Sequence, residues 1–78
     1  MTPFFVLIKC QLGQAYQVAT ALADAEIASE IYSTAGDYDL LAKFYLNPDD
    51  DIGRFVQEKV HVIEGIQDTK TIPTFKAF

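Results

Sequence analysis

Four consecutive residues carry the densest chemistry in the chain: Gly36-Asp37-Tyr38-Asp39, inside the stretch "STAGDYDLL" at 33–41. Two carboxylates flank an aromatic ring, directly after a glycine. Glycine and aspartate are turn formers, and an aspartate side chain accepts hydrogen bonds from nearby backbone N–H groups. A plain turn therefore accounts for the residue types. The same residues also suit a ligand. Glycine lets a ligand approach the main chain closely, and exposed turn N–H groups form a concavity for a carboxylate. Asp37 or Asp39 can pair with an ammonium, and Tyr38 offers a flat apolar wall. A zwitterionic amino acid needs all three kinds of group. On residue types alone, turn and site stay open as alternatives.

The other reactive side chains read more plainly. His61 is the single histidine. It falls at the end of a helical pattern, where an imidazole suits the negative end of the dipole. No partner for general-base chemistry is near it in sequence, so it reads as a solvated helix-end residue. Cys10 lies mid-strand, away from the helix N-terminus or cations that activate a thiol, and reads as packing. Asp49-Asp50-Asp51 fails as a Ca²⁺ loop because Ile52, Gly53 and Phe55 stand where further oxygens are needed. A capped helix start is the simpler reading. Nucleophile-elbow, P-loop and CxxC signatures are absent from the sequence, so neither catalytic residues nor a metal or cofactor site is expected.

Six elements must position these residues. Residues 3–11, "PFFVLIKCQ", predict a strand, with Phe4, Val6, Ile8 and Cys10 on one face and Phe5, Leu7, Lys9 and Gln11 on the other. After Gly13, the spacing of Ala15, Val18, Ala19 and Leu22 predicts an amphipathic helix. Residues 27–34 alternate as a second strand, and 39–46, "DLLAKFYL", form a third beyond the Gly36 turn, an antiparallel hairpin. Asn47-Pro48 stops that strand, and 49–51 open a second helix with an aspartate cap. Its stripe is Ile52, Phe55, Val56 and Val60, with Val62 and Ile63 continuing the apolar contact towards Gly65. Residues 66–72 predict a fourth strand. Pro73 interrupts it, with "TFKAF" as a short extra edge piece. The order β-α-β-β-α-β, with right-handed crossovers, gives an α+β ferredoxin-like plait: a four-stranded antiparallel sheet with two helices on one face and strands one and three central.

Length and charge bound the function. Seventy-eight residues make one domain, 1–78. Six basic and 11 acidic residues give a net charge of −5, and the basic residues are scattered. This argues against phosphate-lined partners, whether nucleic acid or an anionic membrane. The start of the chain shows no secretory pattern, and a lone cysteine fits a reducing cytoplasm. A domain this small gains stability from oligomerisation. The sheet supplies a reason. Two helices cover one face, so the other should be polar. Instead Phe5, Leu7, Ala28, Tyr32, Leu41 and Tyr45 project there, broken only by Lys9, Glu30 and Lys43. Such a patch marks an interface, and a homodimer with facing sheets is expected. Swapping the two faces leaves the conclusion intact, since both are apolar.

The hairpin "TAGDYDLLAKFYL" and the segment "VIEGIQDTKTI", in this element order, resemble the effector-binding domain of the Lrp/AsnC family, the RAM domain. The resemblance covers essentially the whole chain. It implies dimers built through the sheets and joined into larger rings, commonly octamers or decamers. It further implies small effectors, typically amino acids, bound between dimers beside the hairpin. On matching positions the ligand contacts become Gly36, Asp37, Tyr38 and Asp39, followed by Thr69, Thr71 and Ile72 from a neighbouring subunit. Family regulators carry an N-terminal helix-turn-helix domain, whereas this sequence starts at strand one. The expectation is a stand-alone form that senses a metabolite or co-assembles with a full-length regulator. Two other classes share the fold: a structural assembly partner without ligand, and a small dimeric α/β-barrel enzyme such as a monooxygenase. Fold alone does not separate them. An enzyme needs a convergent polar pocket, and this chain has no tryptophan and places its histidine on a helix end. Effector binding ranks first, assembly second and catalysis third.

Overall fold

The computed structural model describes residues 2–78. Its elements are β1 (Pro3–Cys10), α1 (Ala15–Asp24), β2 (Glu30–Ser33), β3 (Leu40–Tyr45), α2 (Ile52–Phe55) running into a π-helical turn (Val56–Val60), and β4 (Ile66–Pro73). The strands form one antiparallel sheet in the order β2-β3-β1-β4. This is the expected ferredoxin-like plait, with the first and third strands central. Their sequences explain the placement, because a strand flanked on both sides needs no polar edge. In β1 and β3, Phe4, Val6, Ile8, Leu40, Ala42 and Phe44 are all essentially sealed from solvent.

The helices close one face. Val18 and Leu22 of α1 and Val56 and Val60 of the second helical segment complete the core, with Cys10. The Phe4 and Phe44 rings stack at 5.3 Å, and Phe55 meets both edge-on at 5.9 and 5.5 Å. Offset and edge-to-face contacts of this kind suit the ring quadrupoles. Asp51 caps α2, its Oδ1 accepting the Arg54 N–H at 3.1 Å. Gly65 carries the chain from the second helical segment into β4 with φ +98, and a Cβ there would sit 3.0 Å from Val18 Cγ2. Both the left-handed backbone and the close approach to α1 call for glycine.

Three elements differ from the sequence reading. β2 is shorter than 27–34, because only 30–33 pair with β3. Ile27 and Ala28 lie before the ladder and pack on the core, so Ala28 belongs to the helix-covered side rather than the open face. The second helix is only partly α-helical, and Val62 beyond it is 70% exposed while Ile63 packs inward. The chain has left helical periodicity by then, so spacing no longer predicts burial. Pro73 ends β4 without a further edge strand, since 74–78 pair with nothing. Their anchor is instead the Thr74 hydroxyl, which donates to the Pro3 carbonyl.

Candidate functional site

The β2–β3 connection is a tightly fastened turn. Thr34 N–H donates to the Asp39 carbonyl at 2.8 Å, and the Thr34 hydroxyl donates to the Tyr38 carbonyl at 2.8 Å. Gly36 takes φ +97, a left-handed conformation open to glycine without strain. Asp39 then ties the turn to the centre of the sheet. Its N–H donates to the Ile8 carbonyl at 2.9 Å, and its Oδ2 accepts the Cys10 N–H at 2.7 Å. A carboxylate thus stands in for a carbonyl where the β1–β3 ladder runs out. With Asp39 committed inward and Tyr38 half-buried, Gly36 and Asp37 remain exposed at the tip.

Cys10 sits beneath this bond, buried and without a disulfide. Burial, and secondarily the Asp39 charge, push its thiol pKa up. A thiol held protonated is a poor nucleophile, in keeping with a packing role.

The strand-four candidates divide between the two sheet faces. Register pairs Thr69 with Ile8, Thr71 with Val6 and Ile72 with Phe5. Thr69 and Thr71 therefore lie on the helix side, while Ile72 lies on the open face with Phe5. Within one chain the hairpin meets the Ile8–Cys10 end of β1; Thr69 pairs with Ile8 at that same end but on the other side of β1, and Ile72 sits towards the opposite end. The chain does not bring the two candidate sets together by itself.

The sequence reading missed one contact beside Thr69. His61 is exposed, as expected for a helix end, but its Nε2 lies 2.7 Å from Thr69 Oγ1. The two border a cavity of about 330 Å³, also lined by Ile66, Gln67 and Asp68. Their separation of eight residues gives no periodic signal, so spacing alone could not find the pair.

The open sheet face carries Phe5, Leu7 and Leu41, half-buried, with Tyr32 and Tyr45 at 53% and 39% exposure. Cross-strand register puts Tyr32 against Leu41, Leu41 against Leu7, and Phe5 against Lys43 and Ile72. Two of its charges pair with each other: Lys43 Nζ lies 3.2 Å from Glu30 Oε2 and 5.3 Å from the Tyr45 ring centroid, while Lys9 and Lys70 stand exposed towards its β4 edge. The Tyr32 hydroxyl donates to Glu30 Oε1. That bond first, then Lys43, holds the Glu30 carboxyl below the usual range. The middle of the face is an apolar surface whose central charges, Lys43 and Glu30, neutralise each other, which suits contact with another apolar surface.

Among the described residues no group of three or more His, Cys, Asp and Glu could hold a metal ion. No described helix is long and apolar enough to cross a membrane.

Comparison with known proteins places this arrangement. The family described as the Lrp/AsnC ligand binding domain matches residues 4–78. The HTH-type transcriptional regulator FL11 of Pyrococcus furiosus is 33% identical over 72 residues, covering 92% of this chain and 47% of that protein. The chain therefore spans about half the length of the curated relatives it matches, which are named as regulators rather than enzymes. TTHA0845 from Thermus thermophilus is 29% identical with a TM-score of 0.88, over 100% of this chain and 98% of that one. The regulator NMB0573 from Neisseria meningitidis, solved as a complex with L-Met, has a TM-score of 0.80 over 96% of this chain and 50% of that one. At 16% identity that likeness is one of fold. With all but the first three residues matched, the chain belongs to the Lrp/AsnC family, as its ligand binding domain.

Proposed function

We propose that this domain binds a small effector, an amino acid, at the exposed tip of the β2–β3 hairpin. Self-assembly through the open sheet face then passes occupancy to transcriptional regulation, within its own oligomer or through a regulator of the same family. One observation carries the reading. Asp39 fastens the turn to β1, and the fastened turn leaves Gly36 and Asp37 free. A ligand meeting that tip does not have to order it, which lowers the cost of binding. Asp37, rather than Asp39, is the carboxylate available to an ammonium group, and the N–H groups around Gly36 are available to a carboxylate. Tyr38 supplies an apolar wall beside them. Thr69, Thr71 and Ile72 complete the pocket from a neighbouring copy, since within one chain β1 stands between their strand and the hairpin.

Titration calorimetry against a panel of amino acids tests the reading. L-Met leads the panel because a protein of this fold was solved holding it. Binding by at least one amino acid is expected, weakened at least about tenfold in Asp37→Ala, the loss expected for a charge-assisted hydrogen bond. If every amino acid fails while the oligomer is intact, assembly without a ligand becomes the better account. The apolar open face built on Phe5, Leu7, Tyr32, Leu41 and Tyr45 independently favours that second reading. Light scattering tests it: a dimer or larger ring is expected, and a stable monomer at micromolar concentration would remove the sheet-to-sheet contact.

A further inference from the structure

Two irregularities of the backbone converge on the cavity beside His61. The first is the π-helical turn. The His61 N–H donates to the Val56 carbonyl at 2.9 Å, five residues back. Such a turn holds one residue more than an α-helical turn and recurs at functional sites. It delivers the imidazole to the β4 edge. The second is a bulge between β1 and β4: Lys9 pairs with Asp68 but Cys10 pairs with Ile66, so Gln67 has no partner. Bulges re-aim side chains and also gather beside binding sites. Between the two irregularities, His61 Nε2 and Thr69 Oγ1 meet at 2.7 Å on the wall of a cavity of about 330 Å³. That volume is within the range of small-molecule sites, roughly 300–1,000 Å³.

The chemistry of the pair depends on the charge of the ring. A neutral imidazole can donate to the threonine oxygen or accept its proton. An imidazolium can only donate. Thr69 Oγ1 is then the acceptor, and its own proton is free for an acceptor in the cavity. A hydroxyl donor beside a cationic ring is a receptor for a carboxylate. Other charges surround His61. Asp68 lines the same cavity, with its Oδ1 accepting the Thr69 N–H at 2.9 Å, and Lys9 faces Asp68 across the ladder. Glu58 and Lys59 precede His61 and Glu64 follows it, all exposed. Asp68 is the one acid on the cavity wall, and its engagement with a backbone N–H directs part of its charge away from an incoming anion.

We propose that His61 and Thr69 form a second carboxylate-binding subsite, separate from the N–H groups around Gly36, in which His61 sets the direction of the Thr69 hydroxyl. The proposal rests on the effector-binding reading above, through Thr69. It predicts that carboxylate binding strengthens as pH falls through the range where histidine side chains gain charge.

The test is an NMR titration of the isotope-labelled full chain with sodium acetate, at about pH 5.5 and about pH 8, values that bracket histidine ionisation. Sodium chloride holds ionic strength constant. Acetate should move the His61 ring and Thr69 amide signals at the lower pH, with affinity about fivefold or more weaker at the higher pH. His61→Gln keeps a neutral donor and should flatten the pH difference to less than about twofold. Thr69→Val, which removes the hydroxyl and keeps the shape, should abolish the His61 response. No acetate response at His61 or Thr69 at the lower pH overturns the proposal. So does a pH dependence that survives in His61→Gln. Amino-acid calorimetry keeps the two readings apart. An acetate response without amino-acid binding removes the effector and leaves the subsite. Amino-acid binding that needs Asp37, without an acetate response, does the reverse.

Discussion

Two acidic turns in this chain spend their carboxylates in opposite ways. In the run 49–51, the aspartates act on their own neighbours. Asp51 Oδ1 accepts the Arg54 N–H three residues on, and Asp50 Oδ2 accepts the Asn47 N–H three residues back. In the hairpin 36–39, Asp39 instead reaches 29 residues back in sequence to the Cys10 N–H. The first turn starts a helix, and any capping residue could do the same. The second fastens a loop to the middle of the sheet and keeps Asp37 clear of internal work. Equal acidity therefore hides unequal roles. The difference lies in whether the hydrogen-bonded N–H is local or belongs to another strand.

Substitutions can break that comparison, beginning with the largest effect. Asp39→Ala leaves the Cys10 N–H without its acceptor beside a residue only 5% exposed. The expected loss is about 2–3 kcal/mol in denaturant unfolding, the range for a hydrogen bond to a charged group, and Asp39→Asn should recover most of it. A loss no larger than that of Asp51→Ala would erase the distinction. Gly36→Ala comes next, at about 1–2 kcal/mol for placing an L-residue in the left-handed region. A Cβ there meets nothing within 4 Å, so the cost is conformational, and Gly36→Asn should lose less in the same unfolding curves. Asp51→Ala should cost about 1 kcal/mol as the loss of an N-cap, restored by Asp51→Ser. Asp37→Ala is the smallest in stability, within about 0.5 kcal/mol, although it is the variant expected to lose effector. Matching thermal unfolding with lost calorimetric binding would sharpen the contrast between a residue that holds the turn and one that the turn displays.

The frame of the molecule was legible because it rests on periodicity. Alternation along 3–11 and 39–46 sorted β1 and β3 residue by residue into two faces, without telling which one the helices cover, and the 15–22 spacing assigned the Val18 and Leu22 face of α1. Periodicity reports which side is wet, but it does not report where a ladder begins. Ile27 and Ala28 pack on the core without a strand partner, so β2 is shorter than its pattern. The helical segment ends at Val60, and Val62, beyond it, is exposed. The candidate site divides in the same way. The turn at 36–39 announced itself through glycine and aspartate. The commitment of Asp39 to Cys10, and the meeting of His61 with Thr69, are choices among partners distant in sequence, and no local pattern encodes them.

The sheet order has a consequence for how the chain is made. β1 is synthesised before the other strands of the sheet, yet its outer neighbour is β4, which pairs Phe4 with Pro73. Chains grow from the ribosome at roughly 5–20 residues per second. For the whole of that interval one edge of the most apolar strand in the molecule has no partner. Contacts so remote in sequence also fold slowly. The main-chain N–H and C=O groups along that edge of β1 thus stay unpaired until the last strand arrives, and a nascent neighbour can meet them before β4 does.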